Sequence, residues 1–310
     1  MEDHRQALST FAHALSGRKL KLKKRQGLAP EKAAARRRYP AMDDKAVFLP
    51  AFFADEPERQ GNFRLYKVTI AHQAGHIEFG TFCTLFGKII AMIRAFPLNR
   101  LARDIFFIIE DGRIDFMLRR EYRGLKADID QTVAASMGRR PFPGGDRLAE
   151  ALEILLRLTL GCLDETCLSR DMGDWTHGLK KAMDGFFENA QGVWDSFQKM
   201  AELYASFSHL AVEGLYLPVL PLPFRGRPNL DLSFGGNRGA GAPEEAEGDE
   251  TGTDDAIHSL SEEDIKRLLE KMKDPKLLQD LKGDPLGEGR FITQIDGLTP
   301  MDAVDGPVEE

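Results

Sequence analysis

Two histidines four residues apart, His72 and His76 in AHQAGH, are the residues of this chain best spaced for chemistry. On a helix, positions i and i+4 share a face, so both imidazoles point the same way. That is how HExxH helices present two nitrogens to zinc. A third ligand has to come from elsewhere, and Glu110 or Asp111 on the next long helical segment can supply a carboxylate. The candidate metal set is therefore His72, His76 and Glu110, with zinc as the implied ion. The residue after the first histidine is Gln73, where a zinc peptidase carries the glutamate that takes a proton from bound water. An amide is no general base, and Glu78 stands two residues past His76 on a different face. A zinc-dependent hydrolase of the HxxxH type is thus the alternative reading. A protein with no catalytic residues and no cofactor is the leading one.

The acids that would complete such a site lie in Ala102 to Leu125, ARDIFFIIEDGRIDFMLRREYRGL. Ile105, Ile108, Ile109 and Met117 can bury two sides of a helix, which places Asp104, Glu110, Asp111, Arg113 and Asp115 in or beside the interior. Lone buried charges are costly and are normally paired. The expected pairing is a polar clamp of His72, His76, Glu110, Asp111, Arg113 and Asp115. In it the histidines donate to Glu110 and Asp111, and Arg113 pairs with Asp111 or with a carboxylate on the histidine helix. Arg119, Arg120 and Arg123 cluster where the macrodipole favours cations.

The elements that must position these groups read as helices. Glu2 to Leu15 is a short amphipathic helix, and Gly17 to Pro40 a basic, solvated arm. Asn62 is placed to cap a helix running to about Phe79. Leu85 to Ile93 is apolar, FPLN breaks it, and Asn99 caps the long charged helix, which Gly124 is placed to end. Lys126 to Met137 follows. Asp146 caps a helix with Leu148, Leu152, Leu155 and Thr159 on one stripe, ended by Gly161. From Asp184 to Leu217, Phe186, Ala190, Val193, Trp194, Phe197, Met200, Tyr204, Phe207 and Ala211 recur at three- and four-residue steps, the pattern of one long helix. Pro218, Pro221 and Pro223 make an extended strap. Ser261 opens a last short helix, SEEDIKRLLEKM. No strand pattern stands out. The expected class is all-α, an irregular multi-helix bundle with a disordered basic arm and a disordered acidic linker. Its parts are residues 1–61 (helix and loosely ordered arm), 62–230 (helical core), 231–256 (linker) and 257–310 (short helices and tail).

Composition fits that picture, with 42% hydrophobic and 29% charged residues and a net charge of −7. Arg18 to Arg38 holds ten Lys or Arg, whereas Ala242 to Asp255 holds seven acids and no base. Nucleic-acid association through Lys19 to Arg38 is a third, weaker functional reading. Cys83, Cys162 and Cys167 form no CxxC pair, which argues against a disulfide framework or a zinc ribbon. Neither a secretory signal nor an apolar run long enough to span a membrane is present. The expected compartment is the cytoplasm. No GxxxxGK[ST] occurs, so the chain is not itself a P-loop ATPase, and FGGNRGAG lacks the strand and helix that a phosphate loop needs.

Three segments carry a resemblance: LYKVTIAHQAGHIEFGTF (Leu65 to Phe82), the charged helix Ala102 to Leu125, and YLPVLPLPFRGRP (Tyr216 to Pro228). Together they resemble the helical N-terminal region of the family containing the nitric-oxide-reductase activation protein NorD and the rubisco-activation protein CbbO. The resemblance implies an adaptor that works with an AAA+ ATPase of the MoxR class to activate a target enzyme. Family members also carry a von Willebrand factor A domain with a DxSxS metal-ion-dependent adhesion site. No DxSxS occurs in this sequence, so the chain is expected to be a truncated member or to have that domain encoded on a separate protein.

Overall fold

The computed structural model describes residues 5–17, 20–24, 41–42, 46–50, 53, 55–83, 85–212, 219–220, 222–225, 227–228, 263, 267 and 270. The architecture is all-α. Its centre is α4 (Asn99–Glu121), which packs against α2 (Arg59–Glu78), α3 (Phe86–Arg94), α5 (Arg123–Gly138), α6 (Arg147–Leu160) and α9 (Val193–Ser208). Being surrounded explains its composition. Ile105, Phe106, Ile109 and Ile114 are fully buried on different sides of it. Short α7 (Gly173–Met183) and α8 (Phe186–Asn189) complete the bundle, and α1 (Arg5–Ser16) lies along α2, burying Leu8, Ala12 and Leu15.

Two glycines let the central helices come close. A Cβ on Gly75 would lie 2.8 Å from Ile114 Cγ2, and one on Gly112 would lie 2.7 Å from Thr159 Cβ. Gly75 therefore brings the histidine helix down onto α4, and Gly112 brings α6 onto its other side.

Several boundaries differ from the sequence pattern, each for a local reason. A small sheet exists where no strand was expected: β1 (Lys21–Lys24) pairs in parallel with β3 (Ala46–Leu49), β3 antiparallel with β2 (Ala41–Met42), and β2 in parallel with β4 (Arg227–Pro228). Within the basic arm, Leu20 and Leu22 are buried while Lys21 and Lys23 are exposed. That is the alternation of a half-buried strand, hidden in the charge run. Asn62 does not cap α2, which begins at Arg59; its side chain accepts from Glu56 N and donates to Glu56 O, bracing the approach to the helix. Asn99 makes no side-chain cap either, because Leu98 precedes α4 and its N–H donates to the Tyr204 hydroxyl. The chain breaks at Tyr122, not at Gly124, which lies inside α5. Asp146 does cap α6, accepting from Ala149 N at 2.9 Å, and Gly161 ends it with φ 70°. The long aromatic helix is two: Gly192 is extended between α8 and α9, and the Asp195 carboxylate accepts from the Gln191 and Gly192 N–H groups, starting a new helix there. From Val193 the expected stripe is buried through Phe207.

Residues 235–255 and 25–40 lie outside the described residues, as does the Ser261 helix except that Glu263, Arg267 and Glu270 are helical and exposed. Among the described residues no helix is long and apolar enough to cross a membrane. Cys83, Cys162 and Cys167 are free thiols.

Candidate functional site

The α2–α4 seam buries six ionisable groups. His72, His76, Glu110, Asp111, Arg113 and Asp115 are all at most 8% exposed. They are one assembly, but its connections differ from the expected ones. His72 Nδ1 bonds Asp115 Oδ1 at 2.8 Å, not Glu110 or Asp111. Asp115 Oδ2 in turn accepts two bonds from the Arg225 guanidinium, at 2.9 and 2.8 Å. His76 Nδ1 lies 2.9 Å from Thr81 Oγ1, whose hydroxyl donates to Glu110 Oε1 at 2.5 Å. Arg113 pairs with Glu110, three residues before it, through Nε at 2.8 Å and a terminal nitrogen at 2.6 Å. The same guanidinium donates to the Phe79 carbonyl, which closes the end of α2. Ser196 from α9 donates to Glu110 Oε2 at 2.7 Å.

Those bonds fix the tautomers. The single Thr81 proton goes to Glu110, so Thr81 can only accept from His76, and His76 carries its proton on Nδ1. Asp115 accepts from His72 Nδ1–H in the same way. Both Nε2 atoms therefore turn toward each other, 3.2 Å apart. Asp111 Oδ1 stands 3.3 Å from His76 Nε2 and 3.6 Å from His72 Nε2. No well-aligned hydrogen bond reaches that oxygen among the described residues. His72, His76 and Asp111 thus form a converging donor set. Glu110 is not part of it: four donors already occupy its oxygens, so the expected ligand set is corrected at its third member. Phe224 and Phe82 stand beside His72 and His76 with ring centroids 6.4 and 6.1 Å away.

Burial opposes charge on every member, and partners decide the outcome. Burial would lower His72, but Asp115 and Asp111 outweigh it and raise its pKa to about 9. Burial holds His76 below its ordinary value despite Asp111. Against burial, the two imidazoles keep Asp111 low, Arg113 keeps Glu110 low, and Arg225 followed by His72 holds Asp115 well below the usual carboxylate range. Glu110 in turn raises Arg113.

Three members were invisible in the sequence pattern. Arg225 had a signal: a cation directly after the apolar, proline-rich run LPVLPLPF needs a buried anion as much as a lone acid needs a cation. Thr81 sits directly after the histidine helix, but a hydroxyl leaves no charge to balance. Ser196 is one small residue in an aromatic stripe, and nothing marks it. Outside the centre, Arg119 pairs with Asp130 and Arg120 with Glu121, so those two cations of the basic cluster are balanced locally. Comparison with protein-family models, curated proteins and solved structures finds no match for the chain.

Proposed function

We propose that this chain is a non-enzymatic, cytoplasmic adaptor for an AAA+ ATPase of the MoxR class, similar to the helical N-terminal region of NorD and CbbO proteins. The supporting observation is where the three resembling segments meet. His72, His76 and Thr81 come from the first, Glu110, Asp111, Arg113 and Asp115 from the second, and Phe224 and Arg225 from the third; all belong to one buried assembly. The three segments that carry the resemblance, far apart in the chain, meet in that one assembly. The charged groups hold one another, and Gln73, 1% exposed, stands where a base would be needed. A von Willebrand factor A domain would be a further component of that complex.

The test is a pull-down with the tagged full chain from its native cell, in the presence of a non-hydrolysable ATP analogue. An ATPase of this class is expected, with its ATP turnover altered when purified chain is added back. Recovery of neither an ATPase nor an adhesion-domain protein sinks the reading. A zinc-dependent hydrolase is the competing reading, favoured by the converging donors. Zinc-loaded protein is expected to show no turnover of peptide or ester substrates above the His72→Ala/His76→Ala double variant. Activity lost in that variant would replace the adaptor reading.

A further inference from the structure

We infer that Nε2 of His72, Nε2 of His76 and Oδ1 of Asp111 hold a divalent cation of the zinc class, with a water completing four-coordination, as a staple between α2 and α4.

The first argument is the shape of the donor triangle. Zinc binds nitrogen at about 2.0–2.1 Å and carboxylate oxygen at about 2.0–2.2 Å. In a tetrahedron the distance between ligands is about 1.63 times the bond, which gives edges of about 3.3–3.5 Å. The observed edges are 3.2, 3.3 and 3.6 Å. An octahedral ion at about 2.1 Å would set adjacent donors closer, at about 3.0 Å, and the hard ions that prefer that geometry take oxygen donors rather than imidazole.

Proton accounting supplies the second argument. With both Nδ1–H groups already donated, two nitrogen lone pairs and one carboxylate oxygen face a common point. Some cation must lie among them. A single proton on His72 Nε2 can be given to His76 or to Asp111, not to both, and leaves the other acceptor buried and unpaired. Such a group costs about 1–3 kcal/mol. A divalent ion satisfies all three donors at once.

The surroundings are those of a metal ligand shell. Each histidine that binds a metal normally donates its other nitrogen to a carboxylate or a neutral acceptor, which orients the ring. Asp115 does this for His72, itself held by Arg225. Thr81 does it for His76, itself held by Glu110. The ligands come from two helices, so the ion joins them. Since Gln73 replaces the expected base, the bound water has no proton acceptor at that helix position, and what the ion supplies is the join between α2 and α4.

The experiment uses the full chain, stripped with a chelator and titrated with Zn2+ against a chromophoric competitor, and separately with Co2+. The expected result is one ion per chain and the intense visible bands of four-coordinate Co2+. Asp111→Asn is the informative variant. It is isosteric and leaves the hydrogen bonds of Glu110 and Asp115 in place, so the fold should survive, as circular dichroism will show. Its Zn2+ affinity should fall at least 10-fold, and Thr81→Val, which removes the acceptor that orients His76 together with one donor to Glu110, should fall about 10–100-fold. His177→Ala, at an exposed helical position, should bind like the parent. Failure of the folded parent to bind Zn2+ or Co2+ stoichiometrically, or equal affinity in the parent and Asp111→Asn, overturns the proposal. Because ion binding is read on the isolated chain, it stands or falls independently of any ATPase partner.

Discussion

Two buried charge clusters in this protein are built alike and finished differently. Beside α6, Glu153 accepts from Arg140 at 2.9 and 2.8 Å and from Arg157 at 2.8 Å. Arg157 also donates to the Arg140 carbonyl and lies over the Phe142 ring. None of their buried polar atoms lacks a partner. In the α2–α4 seam, Glu110 and Asp115 are finished in the same way, but the side facing Asp111 is not: a carboxylate oxygen and two imidazole nitrogens converge with too few protons. A closed network explains itself as fold. An open one, at equal burial, needs something added. The difference separates the part of this centre that is structural from the part that binds.

The largest effects should come from opening the closed portions. Glu110→Ala leaves Arg113, 1% exposed, without its anion and removes the acceptor of Thr81 and Ser196. Breaking one partner out of a buried pair costs about 3–5 kcal/mol. Glu153→Ala, which strands Arg140 and Arg157, should cost a similar amount. Urea unfolding measures both. If Glu110→Ala stays within about 0.5 kcal/mol of the parent while Glu153→Ala does not, the seam is not held by its charges, and the likeness between the clusters fails.

The open side should behave in the opposite way. Asp111→Asn in metal-stripped protein should change stability by less than about 1 kcal/mol, since Oδ1 meets the imidazoles only at 3.3 and 3.6 Å and the bonds of Glu110 and Asp115 stay in place. The parent should gain about 2.7 kcal/mol when free Zn2+ stands at 100 times its dissociation constant, and Asp111→Asn, bound at least 10-fold more weakly, should gain no more than about 1.4 kcal/mol at the same Zn2+. A folded conservative variant in the other cluster, such as Arg140→Lys, should keep the full gain. Differential scanning fluorimetry with and without chelator reads all three. An equal gain in Asp111→Asn would mean that the two regions do not differ in openness.

How much of this could be read in the sequence follows from what each signal encodes. The all-α class was legible because α4, α6 and α9 carry apolar stripes that only a helix can bury. The six ionisable residues of the seam were legible because charge in an apolar run forces a partner. Which partner was not. Asp115 rather than Glu110 receives His72, and the selection is made by Arg225, 110 residues away in sequence. The period-two alternation in KLKLKK was outweighed by its charge, and the break at Gly192 depends on one carboxylate reaching back to two N–H groups, which no periodicity records. Local pattern says that a group is buried; only the tertiary arrangement says what closes it.

Acid should separate the regions more gently. Glu110 and Asp115 have lowered pKa values in the fold. A depressed carboxylate contributes stability that is present above its unfolded value, about 4, and lost as pH falls through the folded one. Through these carboxylates, metal-stripped protein should weaken progressively below about pH 4, while His72, raised to about 9 in the fold, contributes stability that is present below its unfolded value and lost as pH rises through about 9. In Glu110→Gln that acid limb should be shallower. An unchanged slope in the denaturation midpoint against pH would remove Glu110 from the linkage.

The smallest effect tests what burial itself contributes. Asp130 repeats the wiring of Glu153, one carboxylate between two cations: Arg119 donates to it at 3.0 Å and Lys126 at 2.7 Å. Its hydrogen bonds to those cations outweigh desolvation and lower its pKa. The pairing is therefore real, but Asp130 is 43% exposed, Lys126 62% and Arg119 20%. After Asp130→Ala, water can solvate both cations, which Arg140 and Arg157 cannot enjoy beside α6. Exposed pairs of this kind contribute about 0.2–1 kcal/mol, and less as salt screens them. Asp130→Ala should thus cost under about 1 kcal/mol by urea unfolding, and less still at high salt. If it costs as much as Glu153→Ala, wiring rather than burial sets the strength of these clusters. The open donors at Asp111 would then lose the physical reason for needing a cation.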